Sequence, residues 1–395
     1  MTTLKILFYA AEFAPAGTTG AIRPTKLAKY FSRFGHEIKV ISCQPNNTTY
    51  ADLLPAVEAI EIQRVRIRRI LPINDTGLWF LLYSLPRLFR TAREWKPHVI
   101  FVSVPHFYPA IAPLLVRIAL RTPYVIDYRD LWFGDPYPPI SVKDRISRLL
   151  GRALEPAINR FSLLTVYISD RMKAEQEAIF GMRKNSAVIS TGFDKDDIER
   201  STRSTNADLR QVFTYVGNID ANMQIDSFMK ALSAAIRENP EEGARVMFVG
   251  RNIERAKQAA DAAGVTARCI FRGPVGKTEA LDLVRTSRGT IIFGGNHPQR
   301  LNRKVFEALA VSNNIFYLGD ESTPTAQILR SFGMPHILDQ KSETSKISSH
   351  LQSFLSSRNS LAEIPRRLEE YSKEALARSY IDKIKEALLL IDRHE

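Results

Sequence analysis

Short apolar runs recur along the first half of the chain, over residues 4–9, 38–42, 98–102, 124–127, 163–167 and 186–190. Between them lie longer stretches, notably 22–34 and 108–120, in which apolar residues return every three or four positions, the period of a helix packed on a core. Runs apolar at nearly every position predict strands buried on both faces, so the alternation predicts a doubly wound α/β domain with a parallel sheet. A second series follows over 212–217, 246–250, 269–273, 289–293 and 314–318, which predicts a second domain of the same class. The charged, Ser/Thr-rich stretch 194–206 lacks either period and reads as a linker. The expected domains are 1–195 and 205–375. Leu/Ile spacing predicts a terminal helix over 364–393, with 376–395 returning to the first domain.

Composition leaves this picture intact. With 45% hydrophobic and 25% charged residues among 395, the chain has the makeup of a folded globular protein and length for two cores. Charge sharpens it. Residues 1–195 hold 27 Lys/Arg against 16 Asp/Glu, and residues 196–395 hold 28 against 26, so most of the net +13 sits in the first half. A basic face suits anionic phospholipid, a phosphorylated acceptor or nucleic acid, or is simply a solvated surface. Aromatic–basic RNA motifs and helix-turn-helix signals are missing, so nucleic acid is not an expected partner. The two cysteines, Cys43 and Cys269, lie inside strand-like runs and read as buried thiols. Together with the lack of a signal-like start, they lead us to expect a cytoplasmic protein.

Candidate chemistry clusters where strands end. After the first strand comes Ala14-Pro-Ala-Gly-Thr-Thr-Gly-Ala-Ile-Arg, in which Gly17 and Gly20 give a turn able to present backbone N–H groups at a helix start. A plain βα turn is the competing reading. Arg23 falls in the first helical turn, where a cation opposes the helix dipole, so something else must hold it there. Asp127-Tyr-Arg-Asp130 and Ser103-Val-Pro-His106 end two further strands, where open α/β sheets bind ligands. In the second half, Gly294-Gly-Asn-His-Pro-Gln leads to Arg300-Leu-Asn-Arg-Lys-Val-Phe-Glu-Ala-Leu-Ala. Lys304 and Glu307 lie three apart on one helix face, as a phosphate and diol pair or as a plain salt bridge.

These residues carry a resemblance. Arg23 with Gly35-His-Glu-Ile-Lys-Val-Ile-Ser, Tyr124-Val-Ile-Asp-Tyr-Arg-Asp-Leu-Trp, Gly192-Phe-Asp, Tyr215-Val-Gly-Asn-Ile and the 300–310 segment are similar to motifs of family 4 glycosyltransferases of the bacterial surface-polysaccharide type. The resemblance implies a GT-B fold, two Rossmann-like domains facing a central cleft. It also implies sugar transfer from a nucleotide-diphosphate sugar to a glycan or lipid-linked acceptor, with retention of configuration and no metal or other cofactor. Glu307 corresponds to the glutamate that receives the ribose hydroxyls, and a carboxylate accepts two hydrogen bonds from such a diol. The implied donor contacts are Glu307, Lys304, Gln299, Arg300, Arg303, Gly217, Asn218, Gly295 and His297. Asp130 is expected to orient or deprotonate the acceptor hydroxyl, with Arg129 and Asp127 beside it. Gly17, Gly20, Arg23 and His106 are expected at the acceptor side.

Two departures matter. The family's second glutamate, eight positions before the ribose contact, is replaced by Gln299, and its diphosphate clamp falls at Asn218 and Met223, which carry no charge. Lys304, Arg300, Arg303 or Arg251 would then neutralise the diphosphate. The segment from Arg64-Val-Arg-Ile-Arg-Arg to Leu78-Trp-Phe-Leu-Leu-Tyr-Ser-Leu-Pro86 fits a membrane interface, with Trp79 and Tyr83 at headgroup level, as well as it fits a core-packed helix. If the segment faces the membrane, Pro86 is expected to bend or break it. A peripheral position at the inner membrane face is thus one expectation, and a sugar-nucleotide epimerase of the same fold is the rival activity.

Overall fold

The computed structural model describes residues 3–45, 54, 57–68, 74–134, 139, 141–182, 185–201, 209, 211–238, 243–295, 301–360 and 363–392. The chain divides into two compact units, Met1–Thr191 with Lys373–Glu395, and Gly192–Ser372.

The first unit carries seven parallel strands, β1 (Lys5–Tyr9), β2 (Glu37–Cys43), β3 (Glu61–Val65), β4 (Val99–Val104), β5 (Tyr124–Tyr128), β6 (Leu164–Tyr167) and β7 (Ser186–Val188). Their order is β3-β2-β1-β4-β5-β6-β7. Helices α1 (Thr19–Arg33), α2 (Thr76–Trp95), α3 (Ile111–Leu120), α4 (Val142–Phe161) and α5 (Asp170–Phe180) connect them. Phe8, Phe31 and Phe101 meet at ring-centroid distances of 4.8–5.9 Å, and Tyr380 of the last helix closes this aromatic cluster at 5.4 Å from Phe101.

The second unit opens with α6 (Lys195–Arg200), inside the stretch read as linker, whose Asp194 side chain caps it by accepting from Asp196 N at 3.1 Å. Its six parallel strands are β8 (Val212–Val216), β9 (Arg245–Val249), β10 (Cys269–Arg272), β11 (Gly289–Gly295), β12 (Ile315–Gly319) and β13 (His336–Asp339). They run in the order β10-β9-β8-β11-β12-β13. The helices are α7 (Ile225–Glu238), α8 (Glu254–Ala262), α9 (Lys277–Thr286), α10 (Lys304–Val311), α11 (Pro324–Ser331) and α12 (Thr344–Ser356). The chain ends in α13 (Lys373–Asp392), whose Ala377, Tyr380, Ile381 and Ile384 join the first unit's core.

In both units the chain starts in the middle of the sheet and builds outward, first to one side and then to the other. The crevice at which this direction reverses, between β1 and β4 in one unit and β8 and β11 in the other, is where open α/β sheets place ligands.

Pro86 does not break α2, which runs through it for 20 residues. Trp79 is 4% exposed and points into the unit, so it is no headgroup anchor. Arg64 likewise turns inward, donating to Cys43 O at 3.4 Å and to the carbonyl of Ala14.

Candidate donor and acceptor sites

In the second unit, α10 begins at the carboxyl edge of the sheet. Asn302 Oδ1 accepts from Lys304 N at 3.1 Å, occupying one of the N–H groups a helix start leaves open. Glu307 follows within the first turn, where a carboxylate is favoured by the helix dipole. Its side chain is 14% exposed and ion-paired with Lys277 at the start of α9, with Arg303 Nε at 3.6 Å. Lys304 takes another direction: its Nζ donates to Val216 O at 2.7 Å, at the end of β8. Glu307 is therefore paired with Lys277, a residue the sequence reading missed because it lies 30 positions away on another helix.

Gly217 follows Val216 at this rim. A Cβ there would lie 2.5 Å from Lys304 Nζ and 2.8 Å from the Tyr215 hydroxyl, so only glycine lets the ammonium approach the strand end. Gly250, at φ +148, passes so close to the Gly217 carbonyl that no side chain fits either. Asn218 is exposed at the same edge. Met223, which occupies the place of the missing clamp lysine, is 6% exposed and packs under the Tyr215 hydroxyl at 3.6 Å. Gly295 ends β11. His297, Gln299 and Arg300 lie outside the described residues.

In the first unit the expected cluster separates into a buried part and an open part. Asp127 is fully buried. Arg23 Nε donates to its Oδ2 at 2.9 Å and Nη2 to its Oδ1 at 3.0 Å, while Ser103 Oγ and Tyr380 OH donate at 3.0 and 2.5 Å. The remaining Arg23 donors go to Ser190 O and Ile189 O, both at 2.8 Å, and Nη2 also meets the Tyr380 hydroxyl at 2.7 Å. This pair holds Arg23 against the helix dipole. Neither Arg23 as an acceptor contact nor Asp127 as a reacting carboxylate survives, because both are enclosed by protein partners.

Arg129 is also turned inward. It donates from Nε to Val104 O (3.1 Å), from Nη2 to Pro105 O (2.7 Å) and from Nη1 to Gly20 O (2.8 Å). The last bond has a covalent cause. Pro24 lies inside α1 without an N–H, so the carbonyl four residues earlier, that of Gly20, lacks its helical donor. Arg129 supplies one. Its expected contact with phosphate gives way to this clasp between α1 and the end of β4.

The open part comprises exposed Asp130, just past the end of β5, and half-buried His106 and Glu12, which meet beside Gly20 in the first turn of α1 at the β1/β4 crevice. His106 Nε2 lies 3.8 Å from Glu12 Oε1. Burial pushes the Glu12 carboxyl up, but hydrogen bonding and charge from His106 outweigh it and hold the group below its usual range. The Glu12 carboxylate lies against the Gly20 Cα, in the space a Cβ would take. Sequence reasoning missed Glu12, since no motif singles it out.

Residues 19–192 match the family model described as a glycosyl transferase 4-like domain. No curated protein matches the chain. Among solved structures, HepE of Anabaena, crystallised with UDP and glucose, aligns at TM-score 0.63 and 12% identity over 99% of both chains. The lipopolysaccharide outer core galactosyltransferase WaaB aligns at 0.64 and 12%, covering 97% of this chain and 99% of its own. The N-terminal domain of a Candida albicans trehalose-6-phosphate phosphatase aligns at 0.69 and 12% over 98% of each. At such identities the likeness concerns the fold. Residues 19–192 thus match a glycosyl transferase 4-like domain, and the chain shares its fold of two parallel-sheet α/β units with these GT-B structures.

Proposed function

We infer that the protein moves a sugar from a nucleotide-diphosphate sugar to a hydroxyl of a glycan or lipid-linked acceptor, with retention at the anomeric carbon, in the cytoplasm. The observation that carries this reading is the partly exposed carboxylate of Glu307 in the first turn of α10, paired with Lys277, with the Lys304 ammonium of the same turn directed to the β8 rim. A ribose diol donates to the carboxylate, while Lys304, Lys277, Arg303 and the α10 N-terminus present positive charge to a diphosphate. The HepE structure with UDP and glucose supports a uridine donor as the first to test.

As the acceptor oxygen bonds to the anomeric carbon, the bond to the diphosphate oxygen breaks and negative charge collects on the departing nucleotide. Fixed cations and dipoles stabilise that charge without reorganising. The reading assigns no metal. Asp130, past the end of β5, is the group that orients the acceptor hydroxyl and takes its proton, and the Glu12–His106 pair at the β1/β4 crevice assists in holding the acceptor.

Thermal-shift screening against UDP- and GDP-sugars tests donor binding. A true donor at 100 times its dissociation constant adds about 2.7 kcal/mol of stability, and silence across the panel would overturn the reading. Product analysis then separates transfer from its rival, because an epimerase alters the bound sugar with no acceptor present. For Asp130→Asn, turnover is expected to fall about 10²–10⁴-fold with donor affinity retained; unchanged turnover removes Asp130 from the reaction.

A further inference from the structure

The run Asp127-Tyr-Arg-Asp130-Leu-Trp132 ends in a tryptophan to which the transfer chemistry assigns no task. Trp132 is 3% exposed. Its ring stacks on that of Phe107, the neighbour of His106, at 5.7 Å between centroids and 6° between planes, and Tyr108 meets it edge-on at 5.6 Å. β4 and β5 pair in register up to Val104 and Tyr128, so the two segments that follow them leave one sheet edge side by side. Arg129 joins these segments at their roots, through Val104 O and Pro105 O. Trp132 joins them farther out.

One side of α4 holds the indole. Ser147, Gly151 and Glu155 stand at i, i+4 and i+8 of this helix. Ser147 Oγ accepts from Trp132 Nε1 at 3.0 Å. Glu155, fully buried, accepts through Oε2 from Phe133 N at 3.2 Å. Between them Gly151 brings bare backbone to the ring: a Cβ there would lie 2.8 Å from Trp132 Cγ and 3.0 Å from Cδ1. Glycine inside a helix costs stability relative to alanine, and contact with the indole is the reason for it here. Each contact removes a different freedom. Phe107 sets the plane of the ring, Ser147 sets its direction, and Glu155 ties the backbone just beyond it.

We propose that Trp132 is a positioning residue for sugar transfer: held by Ser147, Gly151 and Glu155, it fixes the 129–133 segment against the 105–108 segment and so sets Asp130 relative to His106. This rests on the reading in which Asp130 takes the acceptor proton. The buried indole acts through the two backbone segments that carry these groups. A displacement of about 1 Å at such a group is enough to cost up to about 10²-fold in rate.

Gly151→Ala tests the proposal in the full chain, because its Cβ displaces the ring without altering Asp130 or His106. Hydrogen exchange should quicken in both 105–110 and 129–134 and stay unchanged in strands β1 and β6. Turnover is read as hydrolysis of whichever UDP- or GDP-sugar shifts the parent's melting, with water in place of the acceptor. It should fall about 10–100-fold with the donor-induced shift retained. In the Asp130→Asn background the same substitution should lower turnover no further, since effects that pass through one group do not add. Trp132→Phe, with its smaller ring, should recover part of the loss in the Gly151→Ala chain. Ser147→Ala supplies a second displacement if Gly151→Ala melts early. Exchange that quickens around 131–134 alone, or a loss that persists in full beside Asp130→Asn, would overturn the proposal while the donor shift stands. A panel in which no nucleotide sugar shifts melting would instead fail the transferase reading, and this inference with it.

Discussion

Asp127 in the first unit and Glu307 in the second both meet cations near the carboxyl ends of parallel strands, in opposite surroundings. Asp127 is fully buried, and its oxygens accept from Arg23, Ser103 and Tyr380. Glu307 keeps 14% of its side chain accessible and is paired with Lys277 and Arg303 on a helix start. A carboxylate saturated by buried donors organises structure, because any ligand must first displace partners that have no water to turn to. One paired at a partly wet rim can exchange a lysine for a ligand at little cost. Motif resemblance does not distinguish the two; burial does.

The largest effect expected from breaking this contrast is on the buried side. Asp127→Ala or Arg23→Ala should destabilise the protein by about 3–5 kcal/mol in urea unfolding, since each leaves the other charge buried alone. A loss below about 1 kcal/mol would mean that the pair is not closed as described.

A third carboxylate sharpens the point. Glu155 is buried with no ion-pair partner among the described residues, its Oε2 accepting from Phe133 N at 3.2 Å, and burial pushes it from 4.5 to about 7. The folded protein then holds a proton that the unfolded chain releases above pH 4.5. Its contribution is full below about pH 4.5, fades as pH rises, and is lost above about 7. The amplitude is about 3 kcal/mol. Glu155→Gln should flatten the fall in melting temperature between those limits, and an unchanged pH profile would refute this.

On the open side, Glu307→Ala should weaken nucleotide affinity about 10–100-fold in calorimetric titration, the worth of charge-assisted bonds to a diol, while shifting stability by less than about 1 kcal/mol. The reverse pattern, a stability loss with affinity retained, would place Glu307 with Asp127. The smallest effect belongs to Lys277→Ala. It should change stability by at most about 1 kcal/mol, and its influence on donor binding reports whether Lys277 yields to the ribose or turns to the diphosphate.

Much of the fold was legible in the sequence because strands buried on both faces are apolar at almost every position, as in Ile6–Tyr9 and Phe213–Val216. The strands that escaped, β3 and β13, lie at sheet edges. There Glu61, Gln63 and Arg64, or His336 and Asp339, interrupt the apolar run, because an edge strand has one flank without a neighbour. The candidate donor helix was legible through the spacing of Lys304 and Glu307, whereas the direction of each side chain was not. Lys304 turns to Val216 O because Gly217 leaves room for it, and Lys277 reaches Glu307 because α9 packs beside α10.

Sequence alone therefore determined two α/β units, a glycosyltransferase-like set of strand-end motifs, and a basic first half, since periodicity and charge are properties of local order along the chain. Tertiary structure decided which charged groups remain available. Arg23, Asp127 and Tyr380 are hundreds of residues apart at the extreme and become one buried network only when α13 returns to the first sheet. Arg129 becomes a clasp only because Pro24 leaves Gly20 O without a donor. Desolvation depends on what packs around a group, and residue type and spacing do not encode it.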